Sequence, residues 1–191
     1  MRRGVALLAL AWLGSAHVFA ADIEAGRVKA EVCVACHGAN GNATLPGVPT
    51  LAAQPALHTF IQLVQFREKR RNDPQMAAFV EKLTNRDMQD IGAYFSVQKA
   101  APPVFQADAA RAVAGRSLLD RHYCGSCHMP DLSGQNQIPR LAGQNFEYLV
   151  KQMRGLKDGS RRDIDGTMAS AAQALSDQDI ENLAHYLASL Q

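Results

Sequence analysis

The chain contains two short stretches of matching pattern, Cys33-Val34-Ala35-Cys36-His37 and Cys124-Gly125-Ser126-Cys127-His128. Together they use all four cysteines of the sequence, and in each a histidine directly follows the second cysteine. This spacing is typical of c-type haem attachment, in which the two thiols add to the vinyl groups of the porphyrin. The pattern therefore predicts two covalently attached haems, held by Cys33 and Cys36 and by Cys124 and Cys127.

The histidine of each motif is the predicted proximal ligand of the iron. One helical turn brings both thiols to the haem edge and places the next residue, His37 or His128, directly beneath the metal. Three other uses of paired cysteines compete with this interpretation: disulfides in an exported chain, a redox-active Cys-x-x-Cys, and a structural zinc site. A redox motif normally opens the helix of a βαβ unit, and zinc needs the two pairs to converge on one metal. Neither condition is indicated by the sequence.

The two motifs belong to an internal duplication. They start 91 residues apart, and other features recur at nearly the same offset. Pro49-x-Leu51-Ala52-x-Gln54 returns as Pro139-x-Leu141-Ala142-x-Gln144, Met76 as Met168, and Tyr94 as Tyr186. Two consecutive prolines, Pro102 and Pro103, favour an extended linker over residues 98–107. We therefore predict two domains, residues 21–101 and 102–191.

The apolar spacing predicts an all-α fold, with three or four helices in each domain and long loops between them. Helices are predicted over residues 21–32, 59–66, 108–122 and 146–156. Thr84 and Ser176 are expected to cap the final helices, with Asp87 and Asp179 at the third helical positions, and these helices end near Ser96 and Leu190. Gly26 and Gly115 would let the first helix of each domain cross close to the tyrosine of its last helix.

Two methionines are predicted as the distal ligands, Met76 and Met168. They lie 39 and 40 residues after His37 and His128, and each follows a polar stretch expected to be a loop. A thioether on such a loop could reach the far face of the haem, and histidine–methionine ligation raises the reduction potential. The alternative is that both are adaptable core residues. Met88 and Met153 align with apolar helix positions and are expected to be core residues.

The first twenty residues are predicted to be a secretory signal, and the alternative is an uncleaved N-terminal anchor. Arg2 and Arg3 precede a short apolar run, and Val18-Phe19-Ala20 supplies small residues before a cleavage point near Ala20. The remaining chain has 18 basic and 18 acidic residues and no second apolar run of membrane-spanning length. We expect a soluble periplasmic protein with no nucleic-acid partner, since binding nucleic acid would need a concentrated basic face.

Several segments of the chain, taken together, resemble those of the dihaem cytochrome c4 group of class I cytochromes c. They are C-V-A-C-H-G, P-T-L-A-A-Q and N-D-P-Q-M in one half, and C-G-S-C-H, P-R-L-A-G-Q-N-F-E-Y-L-V-K-Q-M and D-G-T-M in the other. The resemblance implies two tandem class I cytochrome c domains, each wrapped around its haem, and a pseudo-twofold relation between them. One departure is Met129, where the family's attachment motif usually continues with glycine.

The resemblance implies an electron carrier between respiratory redox partners rather than an enzyme. Such carriers are often peripheral to the membrane and serve a terminal oxidase, a cytochrome bc complex or a periplasmic dehydrogenase. The sequence leaves two alternatives open: an electron-transfer subunit of a periplasmic dehydrogenase, and a small dihaem oxidoreductase with an open iron site. The chain has no cysteine outside the two motifs that could serve as a reactive group.

Overall fold

Ten α-helices form the part of the chain that the computed structural model describes, residues 20–191. The first five are α1 (Ile23–Lys29), α2 (Val34–His37), α3 (Ala56–Arg67), α4 (Pro74–Val80) and α5 (Asn85–Ser96). The next five are α6 (Ala109–Arg121), α7 (Gly125–His128), α8 (Phe146–Asp158), α9 (Thr167–Gln173) and α10 (Asp177–Ala188). The second set repeats the first in order. Most of the predicted signal segment, residues 1–19, lies outside the described residues.

The all-α prediction is confirmed. Within residues 20–191 the β structure amounts to one isolated bridge, between Gln135 and Ile138. Each half has five helices rather than three or four, because α2, α4, α7 and α9, which are only four or seven residues long, were not predicted as helices. No helix in this part of the chain is both long enough and apolar enough to cross a membrane.

The final helix of each half begins at the predicted cap. Thr84 Oγ1 accepts a hydrogen bond from the Asp87 backbone N–H (3.1 Å), and the Asp87 carboxylate accepts one from the Thr84 backbone N–H (2.8 Å). Ser176 and Asp179 form the same reciprocal pair, at 3.1 and 2.9 Å. Because both partners satisfy backbone N–H groups that the helix leaves free, these boxes fix where α5 and α10 start.

A glycine permits the first and last helices of each half to cross in direct backbone contact. A Cβ atom added to Gly26 on α1 would collide with the Asp90 backbone oxygen and crowd the Tyr94 Cβ on α5. On α6, a Cβ added to Gly115 would likewise collide with Asn182 O on α10. The predicted close crossing is confirmed in both halves, and it sets the position of the cysteine motifs, which directly follow α1 and α6.

Each half has a hydrophobic core of its own. The first contains Ala30, Leu63, Phe66, Val80, Met88, Ile91, Tyr94 and Phe95. The second is built around Leu118, Leu119, Leu132, Leu149, Met153, Ile180, Leu183 and Leu187. Residues 99–108, between α5 and α6, have no regular secondary structure. The predicted linker overlaps this segment, and the domain boundary at residue 101 stays a prediction.

The first half also has a buried acidic group that ties α1 to α5. The Asp90 side chain is only 2% exposed, and it accepts hydrogen bonds from the Asp22 backbone N–H (2.8 Å) and Lys29 Nζ (3.1 Å). Lys29 Nζ lies 2.8 Å from the Asp87 carboxylate as well. The hydrogen bond from Lys29 is the main cause that lowers the pKa of Asp87 to about 2.

This cluster makes the stability of the first half depend on pH. Because the folded-state pKa of Asp87 is depressed, its stabilising contribution is complete above pH ~4 and is lost as the pH falls towards 2. We expect Lys29→Met to lower the free energy of unfolding by about 1 kcal/mol or more near neutral pH, and by less at pH 2.5. Thermal denaturation of the holoprotein at both pH values measures this difference.

Lys157→Met is the matched control, since it removes a single pair with the exposed Asp177 in the other half. It should change stability little at either pH. A loss for Lys29→Met that is equal at both pH values would contradict the assignment to Asp87.

Candidate haem sites

The two cysteine motifs fold into the same turn. In the first half, the backbone N–H groups of Cys36 and His37 donate to the Cys33 oxygen at 3.3 and 3.0 Å. In the second half, Cys127 and His128 donate to the Cys124 oxygen at the same two distances. The turn therefore brings the two thiols and the histidine of each motif together on one short helix, α2 or α7.

Equivalent cysteines of the two motifs have the same degree of exposure. Cys33 and Cys124 are half-buried and pack against the core of their own half, while Cys36 and Cys127 are exposed. Neither Cys33 and Cys36 nor Cys124 and Cys127 are joined by a disulfide bond in the structure. The described residues contain no group of three or more His, Cys, Asp or Glu side chains that could hold a metal ion. Each pair lies against the core of its own half, which is the arrangement that covalent attachment of one haem per half requires.

The motif histidines are buried and held in one orientation. His37 and His128 are each 7% exposed. The Nδ1 atom of His37 lies 2.9 Å from Pro49 O, and that of His128 lies 2.9 Å from Pro139 O. A carbonyl can only accept, so Nδ1 carries the proton and Nε2 keeps its lone pair for a metal. Burial lowers the pKa of both rings, which favours the neutral form that binds iron.

Met76 and Met168 lie on short helices, not on the loops predicted for them. Met76 is the third residue of α4 and Met168 the second of α9. An aspartate fixes the start of each: the Met76 N–H donates to Asp73 (3.1 Å) and the Met168 N–H to Asp163 (2.6 Å). Both methionines are half-buried, and Met76 packs on the same core cluster as Cys33. Their role as distal ligands stays a prediction.

The other methionines are placed as the sequence analysis expected. Met88 and Met153 are 0% and 7% exposed and belong to the two cores. Met129 has φ 72° and ψ 154°, which is close to the φ 75° and ψ 168° of Gly38 at the matching position. The loop after the second motif therefore keeps the backbone of the first. Its methionine adopts a left-handed φ that costs of order 1 kcal/mol or more in a residue with a side chain.

Two arginines that the sequence analysis overlooked have buried nitrogen atoms without a partner. Arg140 Nε and Arg161 Nε form no hydrogen bond to any described residue, and neither arginine is paired with a carboxylate there. Burial lowers the pKa of Arg161 to about 10. A desolvated guanidinium needs an anionic acceptor, and haem carries two propionate carboxylates. The chemistry of these groups fits the predicted cofactor.

Three consecutive basic residues, Lys69, Arg70 and Arg71, precede Met76 and have different surroundings. Lys69 and Arg70 are exposed at the end of α3. Arg71 instead lies at the contact between the halves, where it donates to Tyr148 Oη and Gln152 Oε1, both at 2.8 Å. Arg71 and Arg161 lie 90 residues apart, which matches the period of the duplication. This offset could have identified them from the sequence as equivalent residues of the two halves.

Comparison with known proteins gives matches to both halves of the chain. The family described as cytochrome c matches residues 23–97 and 112–191. Cytochrome c4 of Pseudomonas aeruginosa is 34% identical over 96% of either chain. The thiosulfate dehydrogenase electron acceptor of Thiomonas intermedia is 32% identical over 98% of this chain and 91% of its own. The crystal structure of reduced recombinant cytochrome c4 from Pseudomonas stutzeri superposes with a TM-score of 0.83 at 34% identity, covering 90% of this chain and 100% of that one.

Proposed function

The chain belongs to the cytochrome c family and within it to the dihaem cytochromes c4, and we propose that it shuttles electrons between respiratory proteins in the periplasm. The family membership confirms the resemblance and the tandem cytochrome c fold predicted from the sequence. The chain accordingly has two covalently bound haem c groups and is an electron carrier.

The observation that carries the proposal is the identical arrangement of the two histidines. Each ring is buried, and each is oriented by a proline carbonyl at 2.9 Å. We assign the thioether bonds to Cys33, Cys36, Cys124 and Cys127, and the iron bonds to Nε2 of His37 and His128 and Sδ of Met76 and Met168. When bound, each haem supplies an iron that accepts and releases one electron.

The protein residues around these sites would hold the cofactors and keep water away. Arg140 and Arg161 would pair with propionates, which supplies the acceptor that their Nε groups need. Both thiols of a motif would bind the same haem edge. Because Cys36 and Cys127 are exposed while Cys33 and Cys124 are half-buried, this edge would lie near the surface, where electrons can pass to a partner protein.

Export places this exchange outside the cytoplasm. The signal-like segment before Ala20 and covalent haem attachment both favour the periplasm. In the periplasm, the electron donors and acceptors of this protein would be a cytochrome bc complex, a terminal oxidase or a dehydrogenase. A relative named as the electron acceptor of thiosulfate dehydrogenase favours the dehydrogenase as donor, which is the second candidate role. Reduction by purified thiosulfate dehydrogenase, compared with reduction by a bc complex, separates the two.

A carrier differs from a small dihaem oxidoreductase in its iron coordination. With both irons six-coordinate, carbon monoxide should bind neither reduced haem at neutral pH. The purified protein alone should not turn over thiosulfate, sulfite or peroxide, because such turnover needs an open iron position. Optical titration with carbon monoxide and steady-state assays test this. Stoichiometric carbon monoxide binding at one haem, together with turnover, would overturn the carrier assignment.

A further inference from the structure

Two glutamines bind the opposite half of the molecule in the same way. Gln54 accepts a hydrogen bond from the Arg140 backbone N–H (3.0 Å) and donates one to the Arg140 oxygen (2.9 Å). Gln144 accepts from the Thr50 N–H (2.8 Å) and donates to the Thr50 oxygen (2.9 Å). Both side chains are buried, at 5% exposure. Each residue has its equivalent 90 positions away, so the contacts are reciprocal, as in a twofold interface.

Each glutamine binds the peptide unit that orients a motif histidine. The Pro49 oxygen, which accepts from His37, and the Thr50 N–H, which donates to Gln144, belong to one peptide group. In the other half, the Pro139 oxygen accepts from His128, and the Arg140 N–H of the same peptide group donates to Gln54. Each histidine is therefore linked through a single peptide group to a side chain of the opposite half.

This linkage has an electronic consequence. Hydrogen bonds in series polarise one another, so a peptide whose N–H is bonded has a carbonyl that accepts more strongly. A stronger acceptor at Nδ1 makes the imidazole a more basic ligand. A more basic axial ligand stabilises the oxidised iron, which lowers the reduction potential.

We propose that Gln144 is a positioning residue that tunes the redox centre of the first half, and that Gln54 does the same for the second half. Each half thereby sets part of the potential of the other across their interface. The proposal rests on the proposed role of His37 and His128 as iron ligands. It adds a specific partner to each: an amide oxygen supplied by the other half of the chain.

Gln144→Met in the holoprotein is the direct test, because methionine has a similar shape but neither hydrogen-bonding group of the amide. The Nδ1–H proton of His37 should shift in the NMR spectrum, and the Thr50 amide should exchange faster with solvent. The potential of the first-half haem, followed through the His37 ring signals, should rise more than that of the other haem. Gln54→Met should give the mirror image at His128 and Arg140. Gln144→Asn, with a shorter amide, should give a smaller shift of the same sign.

Asn145→Ala is the control for a weakened interface. It removes hydrogen bonds to Gly47 N (3.1 Å) and Leu45 O (3.3 Å) and the cap of α8, but it leaves both histidine-binding peptides intact. Stability should fall while both potentials stay close to those of the unmodified protein. The proposal is overturned if the glutamine variants shift both haems equally or shift the haem of their own half. If the histidine rings of the oxidised unmodified protein show no paramagnetic shift, the ligation assignment itself fails.

Discussion

Cys33→Ser combined with Cys36→Ser is expected to yield a protein with one covalently attached haem, located in the second half. The two serines cannot form thioether bonds, whereas Cys124, Cys127 and His128 keep their turn unchanged. Intact mass of periplasmic protein measures this directly. The unmodified protein should exceed its signal-cleaved chain mass by two haems after acid–acetone extraction, and the variant should exceed it by one.

Loss of the first haem should also disrupt the fold of the first half. That half is a small domain whose buried His37 and half-buried Cys33 would lose the large apolar group that they hold. Domains of this size bury too little surface to be stable without a further support. We expect a loss of up to about half of the helical circular dichroism. Cys124→Ser with Cys127→Ser is the matched variant, and it should spare the first half. An unmodified protein with the bare-chain mass, carrying disulfides or zinc, would contradict haem attachment.

The features that the sequence predicted well are those with a local or a repeated signal. The capping boxes that begin at Thr84 and Ser176 span only four residues each, so they can be recognised without a structure. The close crossings at Gly26 and Gly115 could be predicted because the duplication gives each glycine a tyrosine at the matching place in both halves.

The sequence did not predict features that are very short or that depend on distant parts of the chain. The short helices α4 and α9 have seven residues each, which is too few for a periodic apolar pattern or for stability in isolation. The amides of Gln54 and Gln144 bind backbone groups 86 and 94 residues away. Local spacing contains no information on such contacts, although the repeated Pro-x-Leu-Ala-x-Gln segment marked both glutamines as part of the duplication.

Met76→Ala is expected to remove about half of the far-red charge-transfer band of the oxidised protein, because that band reports a sulfur ligand on ferric iron. The potential of the first haem should fall by roughly 0.1 V or more, since axial ligands set haem potentials over a range of about 0.8 V. Met168→Ala should do the same to the second haem. Visible spectroscopy and a redox titration measure both effects.

Met88→Ala and Met153→Ala are the matched controls, because they make the same chemical change in the core of each half. The cavity left by either should cost about 2–5 kcal/mol of stability, with the band intact. Met76 and Met168 are only half-buried, and each is fixed at the start of a short helix by an aspartate that binds its N–H. The effect of their replacement should therefore be mainly electronic. If Met88→Ala removes half of the band while Met76→Ala leaves it unchanged, the alignment of the two repeats is wrong and the distal ligand lies on α5.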